Sequence, residues 1–69
     1  MEKISLDEFN KMLKLAMNED NQLRVGQSFY GILHEGYPDI AEKITGTNFD
    51  PFYVDENLYE FMKNFVEHV

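Results

Sequence analysis

The stretch Gly46-Thr47-Asn48-Phe49-Asp50-Pro51-Phe52-Tyr53-Val54-Asp55 most constrains what this chain can become. Pro51 has no backbone N–H and drives Asp50 out of the helical region. Gly46 ends whatever precedes it. No regular helix passes through these residues, so a helical protein has to be built in pieces on either side. Rings at Phe49, Phe52 and Tyr53 are too many for a bare solvent loop. They either plug the core of the chain's own fold or present a surface to something else. The sequence leaves both open.

The pieces on either side read as helices. Ser5-Leu6-Asp7-Glu8 is a capping box, with Ile4 and Phe9 placed as a hydrophobic staple. Leu6, Phe9, Leu13, Ala16 and Met17 recur at three- and four-residue steps, which predicts a helix over 6–17 with Lys11 and Lys14 on its far side. The polar run Asn18-Glu19-Asp20-Asn21 offers several N-caps. A second helix is expected over 21–34. Its stripe is Leu23, Phe29, Tyr30 and Leu33, widened by Val25 and Ile32. Gly26 and Gly31 lie inside it, each costing about 1 kcal/mol relative to Ala. Close approach of a neighbour explains them, and so does a dimerisation groove.

Gly36 suits a C′ position and Pro38 the first turn of a third helix, whose apolar side is Ile40, Ala41 and Ile44. Asp50 can cap one short turn beginning at Pro51. Asp55 then reads as the cap of a fourth helix, with Glu56 favourable against its dipole and Val54 and Tyr59 as staple. Leu58, Phe61, Met62, Phe65 and Val69 carry its stripe, and Glu60, Lys63 and Glu67 face outward. The fold class is all-α: one domain over 1–69, a compact bundle of three to four short helices.

Composition limits the function. The chain has 69 residues and no Cys, so neither disulfides nor thiolate metal sites are available to it. A domain this small depends on good helix packing or on oligomerisation. The net charge of −7 is uneven. Residues 1–17 balance to zero, residues 18–35 carry −2, and residues 36–69 carry −5. Direct phosphate binding needs a basic patch, which excludes DNA and RNA as ligands. The acidic half is a solvated face or a surface that meets a basic partner. The N-terminus lacks a signal-peptide pattern and no apolar run spans a membrane, so a cytoplasmic protein is expected.

No catalytic constellation emerges. His34 and His68 lie near helix C-termini, where the dipole favours a cation, and no third His or Cys completes a zinc site. Ser5 is a cap, and Ser28 lacks the strained turn of a nucleophile. A calcium loop starting at Asn48 would need Gly at Tyr53 and Glu at Tyr59. No metal, no cofactor and no enzymatic activity are expected. Arg24 is the single Arg and is expected to pair in bidentate fashion with Asp50 or Asp55. An exposed Arg24 beside exposed Phe and Tyr would instead be a hot-spot composition. Arg24, Asp50, Phe52, Tyr53, Asp55, Glu56 and Glu60 are therefore the candidate partner-binding residues.

Arg24-Val25-Gly26-Gln27-Ser28-Phe29, followed by Leu33, Pro38 and Gly46-Thr47 leading to Asp50-Pro51-Phe52-Tyr53 and Asp55, resembles a pattern of short, uncharacterised bacterial and phage proteins. The resemblance runs from about residue 21 to the end, with Gly31 where that family often has Asn. It implies a small accessory protein of a phage or mobile element that binds a host protein and inhibits or redirects it. A self-assembling homodimer is the alternative expectation.

Overall fold

A computed structural model describes residues 3–18 and 23–67. Among these residues there are four helices: α1 (Leu6–Asn18), α2 (Val25–Gly36), α3 (Pro38–Ile44) and α4 (Asn57–Phe65). The chain is all-α, as its periodicity predicts. The expected caps at 19–21, together with His68 and Val69, lie outside the described residues.

The capping box forms. The Glu8 N–H donates to Ser5 Oγ at 3.1 Å and starts α1. The buried stripe of α1 is Phe9, Met12 and Ala16, while Leu6 and Met17 stay exposed. This differs from the expected stripe by a rotation toward Met12. The reason is the direction of packing, since α1 lies against α2. Met12 joins the buried cluster, and Leu6 and Met17 fall outside it.

The second helix starts at Val25, four residues later than expected. Arg24 is extended (φ −65, ψ 156) and stands before the first turn, with Leu23 exposed ahead of it. Tyr37 closes α2 and opens α3. Its N–H donates to the Leu33 carbonyl (2.7 Å), and its carbonyl accepts the Ala41 N–H (3.0 Å). Gly36 belongs to the last turn of α2 and is not a left-handed C′ residue. Gly46 is left-handed, at φ 79, and turns the chain after α3.

Helix α4 is shorter than expected at both ends. Val66 is extended (φ −118, ψ 134) and forms an isolated parallel bridge with Ile4. The Ile4 N–H donates to the Phe65 carbonyl (2.8 Å), and the Glu67 N–H donates to the Ile4 carbonyl (2.9 Å). Both side chains are buried, so the two segments are joined by backbone pairing and apolar burial together. Period-3.6 reading carries the helix onward because Phe65 and Val69 keep its spacing. The competing backbone partner at Ile4 lies sixty-two residues away and leaves no local signal.

The core is a cluster of rings. Phe9, Phe29 and Phe61, one from each of α1, α2 and α4, have centroids 5.4, 5.6 and 6.3 Å apart. Phe61 stacks on Phe65 at 5.3 Å, and Phe49 meets Phe65 edge-on at 5.3 Å. Leu33, Ile40, Ala41 and Ile44 fill the α2–α3 side. Among the described residues no helix is long and apolar enough to cross a membrane.

Candidate functional site

The connection 45–56 is a set of turns held by side chains. The Thr45 hydroxyl donates to the Ala41 carbonyl (2.7 Å), so the Tyr30 hydroxyl donates to Thr45 Oγ1 (2.7 Å). Thr47 Oγ1 donates to the Ile44 carbonyl and accepts the Phe49 N–H. Asp50 is the centre of this stretch. One carboxylate oxygen accepts the Gly46 N–H and the other the Phe52 N–H, both at 2.9 Å. Its carbonyl accepts from Asn57 Nδ2 at 2.9 Å. The expected cap over Pro51 is therefore present. Asp50 is only 4% exposed and directs its carboxylate inward, which takes it off the surface open to a partner.

Asp55 does not cap α4. The residue before α4 is Glu56, and Glu56 makes no side-chain cap. Asp55 Oδ1 instead accepts the Gly26 N–H (3.1 Å) in the first turn of α2, together with Arg24 Nη1 (3.3 Å). A residue twenty-nine positions away thus satisfies an orphan donor of α2. A cap from such a distance has no sequence motif, which is why the local reading assigns Asp55 to α4.

Arg24 pairs with Asp55, as one expected alternative has it, but not in bidentate fashion. Nη1 also donates to the Tyr53 carbonyl (2.9 Å), and Nη2 donates to the Phe52 carbonyl. The guanidinium therefore clasps the backbone of the aromatic turn. About half of each side chain reaches solvent, so the ion pair itself contributes no more than about 1 kcal/mol. Its role is to orient the turn.

The rings separate into two roles. Pro51 is fully buried and Phe49 packs on the core, so these two form the plug. Phe52 is half-buried, edge-on to Tyr30 at 5.5 Å and to Tyr53 at 4.7 Å. Tyr53 is 74% exposed, with Val54 exposed beside it. Reading Phe52 and Tyr53 together as an inward plug is therefore corrected: Tyr53 points outward. The expected Val54–Tyr59 staple is corrected too, since both residues are exposed. Glu56 is exposed, and Glu60 reaches Lys63 Nζ at 3.0 Å.

Gly26 explains the close approach. The loop lies directly on its Cα, leaving no space for a side chain. The chain's own loop covers this spot, which overturns the Gly26–Gly31 dimerisation groove. Gly31 faces open space. Asn57 escapes the sequence reading because an amide-to-carbonyl tie has no spacing signature. Among the described residues no group of three or more His, Cys, Asp or Glu is placed to hold a metal.

A second surface lies between α1 and α4. Phe9, Leu13, Leu58, Tyr59 and Met62 line an open, largely apolar groove. It exists because α4 meets the bundle through its rings, which hold its backbone away from α1.

The chain matches no family model, no curated protein and no solved structure.

Proposed function

We propose that this chain is a small acidic protein-binding module whose contact surface is the edge Phe52-Tyr53-Val54, framed by Arg24, Asp55, Glu56 and Glu60. In the setting that the resemblance implies, it serves a phage or mobile element by occupying a basic surface of a host protein, inhibiting or redirecting it. It uses no cofactor and contacts no nucleic acid directly.

The observation that carries this reading is an exposed aromatic on an immobilised turn. Tyr53 reaches solvent while Arg24 holds the carbonyls of Phe52 and Tyr53, and Asp50 and Asn57 hold the turn from below. A large ring carried on a backbone already held in place leaves less chain to order on binding. The acidic residues that follow favour encounter with a cationic partner.

The test is affinity capture from host lysate at low and high salt, comparing wild type, Tyr53→Ala and Glu56→Gln/Glu60→Gln. Tyr53→Ala is expected to fold normally and lose a specific partner. The double glutamine variant is expected to retain that partner with a weaker salt dependence. If Tyr53→Ala captures the same partner as wild type, the aromatic edge is not the contact surface.

A further inference from the structure

We infer that the partner is gripped through a proline-rich segment flanked by Arg or Lys, laid in polyproline II conformation across a row of rings running from α2 to the aromatic turn. This rests on the reading of the turn as a binding edge, and it names what that edge takes. Four rings form the row. Centroid to centroid, His34 lies 6.1 Å from Tyr30, Tyr30 lies 5.5 Å from Phe52, and Phe52 lies 4.7 Å from Tyr53. The end rings, His34 and Tyr53, are exposed, and the two between them are half-buried. Successive planes are turned by 36°, 83° and 67°. Rings at such spacings already touch, so nothing slips between them and a ligand lies across their outer edges.

Backbone chemistry narrows the occupant. The Phe52 and Tyr53 carbonyls accept from Arg24, and the Phe52 N–H donates to Asp50, so the turn offers no ladder to an added strand. A helix, about 10 Å across, needs a walled groove, and the row is one line of rings. Polyproline II is narrow, has no internal hydrogen bonds and holds its shape before binding. Its rise of about 3.1 Å per residue places about five residues along the row. Its carbonyls need donors. The Tyr53 hydroxyl and the His34 ring, neither hydrogen-bonded among the described residues, supply them at the two ends. Charge sets the flanks. Glu35 follows His34 at one end and Glu56 follows the turn at the other; both are exposed, and neither is paired with a cation among the described residues. Arg24 does not cancel them, because Asp55 offsets its charge. Each end thus receives a basic residue.

The test is a peptide titration of the full chain followed by amide chemical shifts. One probe is a run of prolines flanked by arginines; the other has glycines in place of the prolines. The proline probe should shift Tyr30, Gly31, His34 and Tyr53, and the glycine probe should bind at least about tenfold more weakly. His34→Ala and Tyr53→Ala replace exposed rings, circular dichroism verifies that they fold, and each should weaken the proline probe at least about fivefold. No shifts with the proline probe, equal binding of the two probes, or a folded His34→Ala that binds like wild type overturns the inference. If Tyr53→Ala still loses its captured partner while the proline probe fails to bind, the edge remains a contact surface and only the proline-rich occupant is wrong.

Discussion

A β-carbon on Gly26 would lie 2.3 Å from the Pro51 carbonyl oxygen and 2.6 Å from Asp55 Oδ1. Backbone atoms cannot retreat as a flexible side-chain tip can, so Gly26→Ala must lift the turn off α2. The expected cost is about 1–3 kcal/mol from overpacking alone, with the Asp55 cap of α2 strained in addition. Gly31→Ala meets nothing within 4 Å. Lying in a helix interior, it should stabilise by about 0.5–1 kcal/mol. Urea unfolding of the two variants checks the pair, and equal effects would contradict the close approach of the turn to Gly26. The need for a glycine inside α2 is legible in the sequence, because helical spacing makes an interior Gly conspicuous. What approaches it is not legible. Spacing reports which residues share a helix face, whereas the approaching loop comes from the far half of the chain. The same limit governs Asp55, whose neighbours in sequence suggest α4 and whose hydrogen bonds go to α2.

Between elements, a polar contact ties α1 to the α2–α3 junction through Glu8 and Tyr37. The Tyr37 hydroxyl is held above its ordinary value of 10.0, first by loss of solvent, then by the Glu8 charge and the hydrogen bond to Glu8. Each of these favours the neutral phenol in the folded state. Below pH 10 both folded and unfolded chains carry the proton, and the stabilisation is fully present. As pH rises past 10 the unfolded chain releases the proton first, so stability falls until the folded-state value is passed. Tyr37→Phe should therefore flatten the alkaline arm of the stability–pH curve above pH 10. Denaturant midpoints between pH 9 and 12 measure this, and parallel curves for the two proteins would exclude the coupling. Element identity is largely legible: the capping box, Pro38 and the turn at Gly46 stand where pattern and stereochemistry put them. Element ends are less so. The start of α2 is set by Arg24 and Asp55, and the end of α4 by Ile4, all tertiary partners that outcompete local helix continuation.

For the molecule as a whole, stability rests on the ring cluster, and the exposed edge Tyr53-Val54 lies outside it. Phe61 is fully buried between Phe9, Phe29 and Phe65. Phe61→Ala should cost about 3–5 kcal/mol, against a total of roughly 3–10 kcal/mol for a chain of this length. Thermal melting should show it largely unfolded near 37 °C, and a shift of only a few degrees would refute the central role of that ring. The all-α class and most of this core are legible because Phe9, Phe29, Phe61 and Phe65 sit at helical spacing. The outward turn of Tyr53 is not, since an aromatic next to Pro51 reads equally well as plug or as contact. The bridge between Ile4 and Val66 carries a further consequence. The two bridged segments run in the same direction, so tension applied across Lys3 and Glu67 drags them past each other along their common axis. Both hydrogen bonds and both buried side chains are then loaded in shear and must fail together instead of peeling one by one. A chain that must withstand being pulled, for example during threading into a protease, therefore meets its first mechanical resistance at this clasp.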